Sequence, residues 1–158
     1  MISRKPIRPE AALIRLEELC ARSEQCEWEL LRKLRSWQIG ERDADTILRS
    51  LKRRRFVDDS RYSAAYVRDK YRFARWGRRK IELALRQKHV DADIIDEALD
   101  SIDEDEYVGI LRDILTAKLK RIEGEVDYTE RTKLFRFAMA RGFETQLISN
   151  VLKSILQQ

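Results

Sequence analysis

Shifting the chain by 53 residues against itself lays one apolar pattern over another, and this self-similarity narrows the choice of fold more than any other feature. Ile81, Leu85, Val90, Ile95, Leu99 and Ile102 fall on Leu134, Ala138, Phe143, Ile148, Leu152 and Ile155. An earlier stretch matches less regularly. Leu30, Leu34 and Ile39 precede Ile81, Leu85 and Val90 by 51 residues, whereas Ile47 and Leu51 precede Ile95 and Leu99 by 48. On that alignment the first copy carries three extra residues in its inter-helix loop. Spacings of three and four within each copy mark one face of a helix. Such units are too small to bury a core alone, so stacking on a neighbour completes each one.

The pattern predicts an all-α protein of three tandem three-helix, helix-turn-helix-like repeats in an elongated, curved array. The first repeat occupies 1–57 and includes a basic N-terminal tail, the second 58–102 and the third 103–158. Helices are expected over about 10–22, 27–37 and 44–54, then 59–75, 78–88 and 92–101, then 104–121, 128–141 and 144–156. Asp58 is placed as an N-cap with Asp59 in the first turn, and Asp91 can cap the helix that follows it. Gly77 and Gly142 fall at helix junctions. With glycine and proline at only 7 of 158 positions, the chain lacks the turn residues that a hairpin-rich β fold needs.

Several function classes drop out at this point. There is no apolar run of 18 residues, and the basic start from Met1 to Arg8 is not followed by an uninterrupted apolar segment. A cytoplasmic protein without a membrane anchor is therefore expected. Cys20 and Cys26 have neither a C-x-x-C spacing nor a nearby histidine, and they read as ordinary reduced thiols. His89 is the single histidine, a capping or surface residue at a helix end, and no phosphate-binding glycine loop occurs. The acidic run from Asp103 to Glu106 reads as a solvated helix start that favours the local dipole. No catalytic, metal or cofactor site is expected, and no enzyme.

Charge supplies the functional signal. Residues 1–90 hold 24 Lys/Arg and 13 Asp/Glu, a net +11, while residues 91–158 hold 9 and 15, a net −6. The excess is densest over 49–88, where 15 basic residues meet 4 acidic ones, and 91–106 then carries nine acids and no base. On an ideal helix Tyr62, Ala65, Tyr66, Phe73 and Trp76 gather on one core-facing stripe. Arg61, Arg68, Arg72 and Arg75 form a second stripe beside it. Arg53, Arg54 and Arg55 precede that helix, and Arg78, Arg79 and Lys80 occupy the first turn of the next. Cations at a helix start oppose the dipole. An anion held jointly by free N–H groups and guanidinium would explain them. For a nucleic acid these residues supply phosphate contacts, which position a protein without reading bases. Tyr71 and Trp76 offer stacking, but Trp76 reads first as a core residue.

Three segments carry a family resemblance. "FVDDSRYSAAYVRDKYRFARWGRRKIELALRQKHV" (56–90) resembles the central signature of RecX, and "KLFRFAMARGFETQLISNVL" (133–152) resembles its C-terminal signature; "CEWELLRKL" (26–34) matches the first unit. His89 stands where many members have glycine, and the Gly40–Asp43 loop is short. The resemblance implies a non-enzymatic regulator of the RecA recombinase that binds the RecA filament on single-stranded DNA. Such a regulator suppresses ATP hydrolysis, strand exchange and filament growth. It also implies direct DNA binding, mainly through the phosphate backbone, and a monomer is expected. The alternative is a DNA-binding transcription factor of helix-turn-helix type, which a sequence-specific footprint would separate. A DNA-cutting enzyme is disfavoured by the missing metal or nucleophile constellation.

Overall fold

A computed structural model describes residues 5–157, and within them the chain forms nine α-helices and no strand. In chain order these are α1 (Pro9–Arg22), α2 (Glu27–Ser36), α3 (Glu41–Arg53), α4 (Asp59–Arg72), α5 (Arg78–Gln87), α6 (Ala92–Asp100), α7 (Glu104–Leu119), α8 (Tyr128–Ala140) and α9 (Thr145–Leu156). They group in threes, each three-helix unit following the last. The first four residues of the basic N-terminal tail lie outside the described residues.

The helices start and stop for local reasons. Asp58, Asp103 and Asp127 each accept the N–H three residues on, from Arg61, Glu106 and Glu130, which satisfies one of the free donors at the head of α4, α7 and α8. Asp91 makes no such side-chain bond, contrary to expectation. The link from second to third helix is the same in every unit. Gln38, His89 and Gly142 are left-handed, with φ of 60°, 55° and 96°. The next N–H, of Ile39, Val90 or Phe143, returns to the carbonyl of Leu34, Leu85 or Ala138 at 3.0–3.3 Å. This is a Schellman stop, made by glycine in only one unit.

That equality of links corrects the repeat alignment. α3 begins at Glu41, not near 44, so Ala44 occupies the place of Ile95 and Ile148. Ile47 and Leu51 then match Ala98 and Ile102, and Val151 and Ile155, with a constant offset of 51 for the first unit. No residues are inserted. A small buried alanine in place of isoleucine disguised the register.

The second correction concerns α4, which stops at Arg72; Arg75 is left-handed (φ 57°) and the Trp76 N–H bonds the Lys70 carbonyl at 2.9 Å. Tyr62, Ser63, Val67 and Tyr71 are buried, whereas Phe73 is 81% exposed. Near the end of the helix the buried face turns toward Tyr71, where Tyr71 and Arg72 meet Glu106 of α7. Tyr71 is buried, its hydroxyl bonded to Glu106 of α7 at 3.2 Å. Phe73, about 160° further round the helix, faces away.

Two cores result. Ala12, Leu16, Leu30, Leu34, Ile47 and Leu51 belong to one inside the first unit. Leu85, Ile95, Tyr107, Leu111, Leu134 and Phe143 belong to a larger one that runs through the second and third units. No hydrogen bond or ion pair links the first unit to the third among the described residues. The accessible surface of 10835 Å² exceeds the roughly 8,300 Å² of a compact monomer of this mass, as an elongated array requires.

Candidate functional site

The ten basic residues singled out by sequence separate into two groups once their neighbours are known. Four are engaged inside the molecule. Arg54 pairs with Glu17 of α1 at 2.8 Å and lies over the Phe56 ring. Arg61 pairs with Glu24 at 2.6 Å and donates to the Arg55 carbonyl at 3.0 Å, tying α4 to the first unit. Arg72 grips Glu106 of α7 with two nitrogens, at 2.7 and 3.2 Å. Arg78 bridges Glu144, at 2.8 Å, and Glu104, its guanidinium 4.0 Å from the centre of the Tyr107 ring.

The start of α5 is not an open anion site. Its N–H groups are already taken: Gly77 donates to the Arg141 carbonyl at 2.7 Å, Arg79 to that of Gly142 at 3.0 Å, and Arg78 to the Tyr107 hydroxyl at 2.9 Å. That hydroxyl in turn donates to Glu144. Burial, reinforced by Glu144, holds the Tyr107 hydroxyl protonated far above the usual tyrosine range. The approach of α5 to the α8–α9 link is so close that a Cβ on Gly142 would sit 2.4 Å from the Lys80 Cβ. Only glycine fits there, and the link's carbonyls take the place of a bound anion.

The other six, Arg53, Arg55, Arg68, Arg75, Arg79 and Lys80, form no ion pair among the described residues. All but Lys80 are exposed. Lys80 lies 4.5 Å from the centre of the Trp76 ring, and Lys70 4.6 Å. Trp76 is half-buried against the larger core. The six do not make one patch. Arg55 shares a cleft with Glu27, Lys52, Asp58 and Asp59; Arg79 shares another with Arg78, Glu82, Asp96, Asp100 and Glu144; Arg75 lines a third.

Sequence reasoning missed the acidic partners. Glu106, Glu104 and Glu144 decide which arginines stay free, yet they lie 26 to 66 residues from the groups they hold. Nothing local signals that pairing. The Cys26 thiol is pushed up to about 11 by burial, which keeps it in its unreactive form at neutral pH. No group of three or more His, Cys, Asp and Glu side chains could hold a metal ion, and no helix is long and apolar enough to cross a membrane, among the described residues.

Comparison with known proteins converges on one family. Family models for the second and third three-helix domains of RecX match residues 58–99 and 104–152. The regulatory protein RecX of Clostridium beijerinckii is 28% identical over 152 residues, 95% of this chain and 69% of that protein. RecX of Clostridium acetobutylicum is 31% identical over 136 residues, covering 84% of this chain and 63% of its own length. The chain thus spans about two thirds of these clostridial relatives. The crystal structure of RecX from Lactobacillus salivarius superposes with a TM-score of 0.85 at 20% identity, over 94% of this chain and 96% of that one, which shows a shared fold.

Proposed function

This chain belongs to the RecX family of regulatory proteins, and from that premise we propose that it is a non-enzymatic, monomeric, cytoplasmic regulator of RecA. It docks on the RecA filament on single-stranded DNA and restrains ATP hydrolysis, strand exchange and filament growth. The observation that carries the reading is the unpaired subset of cations, from Arg53 and Arg55 through Arg68 and Arg75 to Arg79 and Lys80. Leaving them without carboxylate partners, in a chain that pairs Arg54, Arg61, Arg72 and Arg78, suits contact with an external polyanion at several separate points along the chain. The four paired arginines instead hold the framework that presents the free ones.

A helix-turn-helix transcription factor fits less well. In the second unit the helix placed to enter a groove is α6, whose exposed positions are Ala92, Asp93, Asp96, Glu97 and Asp100. Phosphates would repel it. Of the third helices of the three units, only α9 exposes amides suited to base edges, Gln146 and Asn150, and these bond each other at 3.1 Å.

ATP hydrolysis by RecA on single-stranded DNA, with this chain titrated from far below to above the RecA concentration, tests the proposal. Inhibition is expected well below one molecule per RecA, with R53E/R68E shifting the curve to higher concentration. Unchanged hydrolysis at every ratio in low salt would overturn the proposal.

A further inference from the structure

The charge pattern of the sequence assigns the C-terminal part to the acidic end, but the base-free acidic run ends at Glu106. Residues 107–158 hold nine Lys/Arg and six Asp/Glu, a net +3. The fold gathers three of those nine around one cleft and adds a fourth cation from the second unit. This cleft, of about 340 Å³, opens where the ends of α4, α7 and α8 meet, and is lined by Arg75, Lys118, Arg121 and Arg141 around Ile114 and Phe137. No carboxylate lines it. The clefts beside Arg79 and Arg55 differ in this respect, with four and three acids among their walls.

Two of the cations are held in place before any ligand arrives. Lys118 Nζ lies 4.4 Å and the Arg141 guanidinium 5.3 Å from the centre of the one Phe137 ring. Arg141 also donates to the Ala74 carbonyl at 3.2 Å, next to Arg75. Orienting like charges around a shared apolar floor is unfavourable until a counter-charge enters, and it lowers the ordering cost when one does.

Helix dipoles do not account for the arrangement. Three helix ends contribute about half a negative charge each, roughly −1.5 together, against four full positive charges. Their carbonyls are also partly satisfied: that of Lys70 by the Trp76 N–H, that of Leu119 by Ile122 and that of Ala138 by Phe143.

We propose that this cleft, between the second and third units, is a phosphate-binding site. Its ligand class is a phosphate group, as carried by a single-stranded DNA backbone or by a free nucleotide. The site is a property of the free chain and does not depend on the filament reading. Its test therefore contains no RecA.

The experiment follows the arginine Nε–Hε resonances of Arg75, Arg121 and Arg141 by NMR while inorganic pyrophosphate or an oligothymidylate is added. Both probes are expected to shift these resonances, and K118Q/R121Q is expected to weaken binding about tenfold with the amide spectrum otherwise intact. If the oligothymidylate displaces pyrophosphate, the site takes nucleic acid. The salt slope for the oligothymidylate should then flatten by about 0.7 per lost contact. Pyrophosphate binding that the oligothymidylate leaves untouched assigns the site to a free phosphate compound. Resonances that move with neither probe, or move equally in the K118Q/R121Q variant, overturn the proposal. R75Q provides a second variant that leaves the Phe137 floor alone.

Discussion

The joint between the first and second units and the joint between the second and third are built from different materials, although each joins copies of one three-helix unit. The first joint is polar. Glu27 donates its N–H to Asp59 at 2.9 Å, Arg61 pairs with Glu24, Lys88 pairs with Glu29, and the Trp28 and His89 rings stack at 5.0 Å. Cys26 is the one buried residue of the first unit that joins the larger core. The second joint also carries ion pairs, Arg72 with Glu106 and Arg78 with Glu104 and Glu144, but adds to them a continuous apolar core shared by the two units and two main-chain hydrogen bonds between the α5 start and the α8–α9 link. Surface ion pairs contribute little and are screened by salt, whereas buried apolar area and satisfied backbone groups are not. Sequence repetition fixes the unit, then, but not the strength with which units adhere.

The comparison breaks most sharply at equivalent link positions. Gly142→Ala forces a Cβ against the Lys80 backbone nitrogen, 2.5 Å away, at a φ of 96°, and a loss on the order of 4 kcal/mol is expected in chemical denaturation. His89→Gly, at the matching place in the first joint, relieves a left-handed non-glycine residue but gives up the stack on Trp28, so a net change within about 1 kcal/mol is expected. Equal responses would mean that the two joints are alike after all.

Tyr107→Phe comes next. It strands the Arg78 N–H and one Glu144 oxygen in the second joint, so a cost of about 1–3 kcal/mol is expected. Hydrogen exchange should accelerate in α5 and at the α8–α9 link before it does in α2. Protection lost first in α2 would contradict the assignment.

A double-mutant cycle on Glu24→Gln and Arg61→Gln should give a coupling of only about 0.2–1 kcal/mol, fading in 1 M salt. A coupling above about 2 kcal/mol that persists in salt would show the first joint to be as firm as the second.

The smallest effect lies in pH. Burial raises the Asp59 carboxyl above the ordinary aspartate value, against the opposing Glu27 N–H. Over the window between the two values the folded chain binds more protons than the unfolded one. Stability from this group is therefore present at low pH and lost as pH rises through the raised value. Asp59→Asn keeps an oxygen for the Glu27 N–H and should abolish that slope in melting temperature against pH. An unchanged slope assigns it to other carboxylates.

Much of this was legible in advance. The nine helices were visible because amphipathic period, aspartate caps and glycine junctions act within a few residues of one another. Misreadings came where a distant element intervened. Phe73 looked like core because an uninterrupted helix would keep it in line with Tyr62 and Tyr66, but the buried face turns toward Tyr71, which meets Glu106 of α7. Ile47 was aligned with Ile95 because size was read as position, and only the identical Schellman links reveal that Ala44 is the true counterpart.

Of the candidate site, the sequence by itself determined where the cations are along the chain: clustered at the end of α3, along α4 and at the start of α5. Which of them remain available was decided by the tertiary structure alone. Glu17, Glu24, Glu106, Glu104 and Glu144 come from other helices and links and neutralise four of the ten. The same folding brings Arg75 to Lys118, Arg121 and Arg141, residues that the linear charge count had placed at the acidic end. The physical reason is one of range. Helix formation depends on neighbours three and four residues apart, while a charge is neutralised or left open by whatever group packing brings within a few ångströms, however far away it lies in sequence.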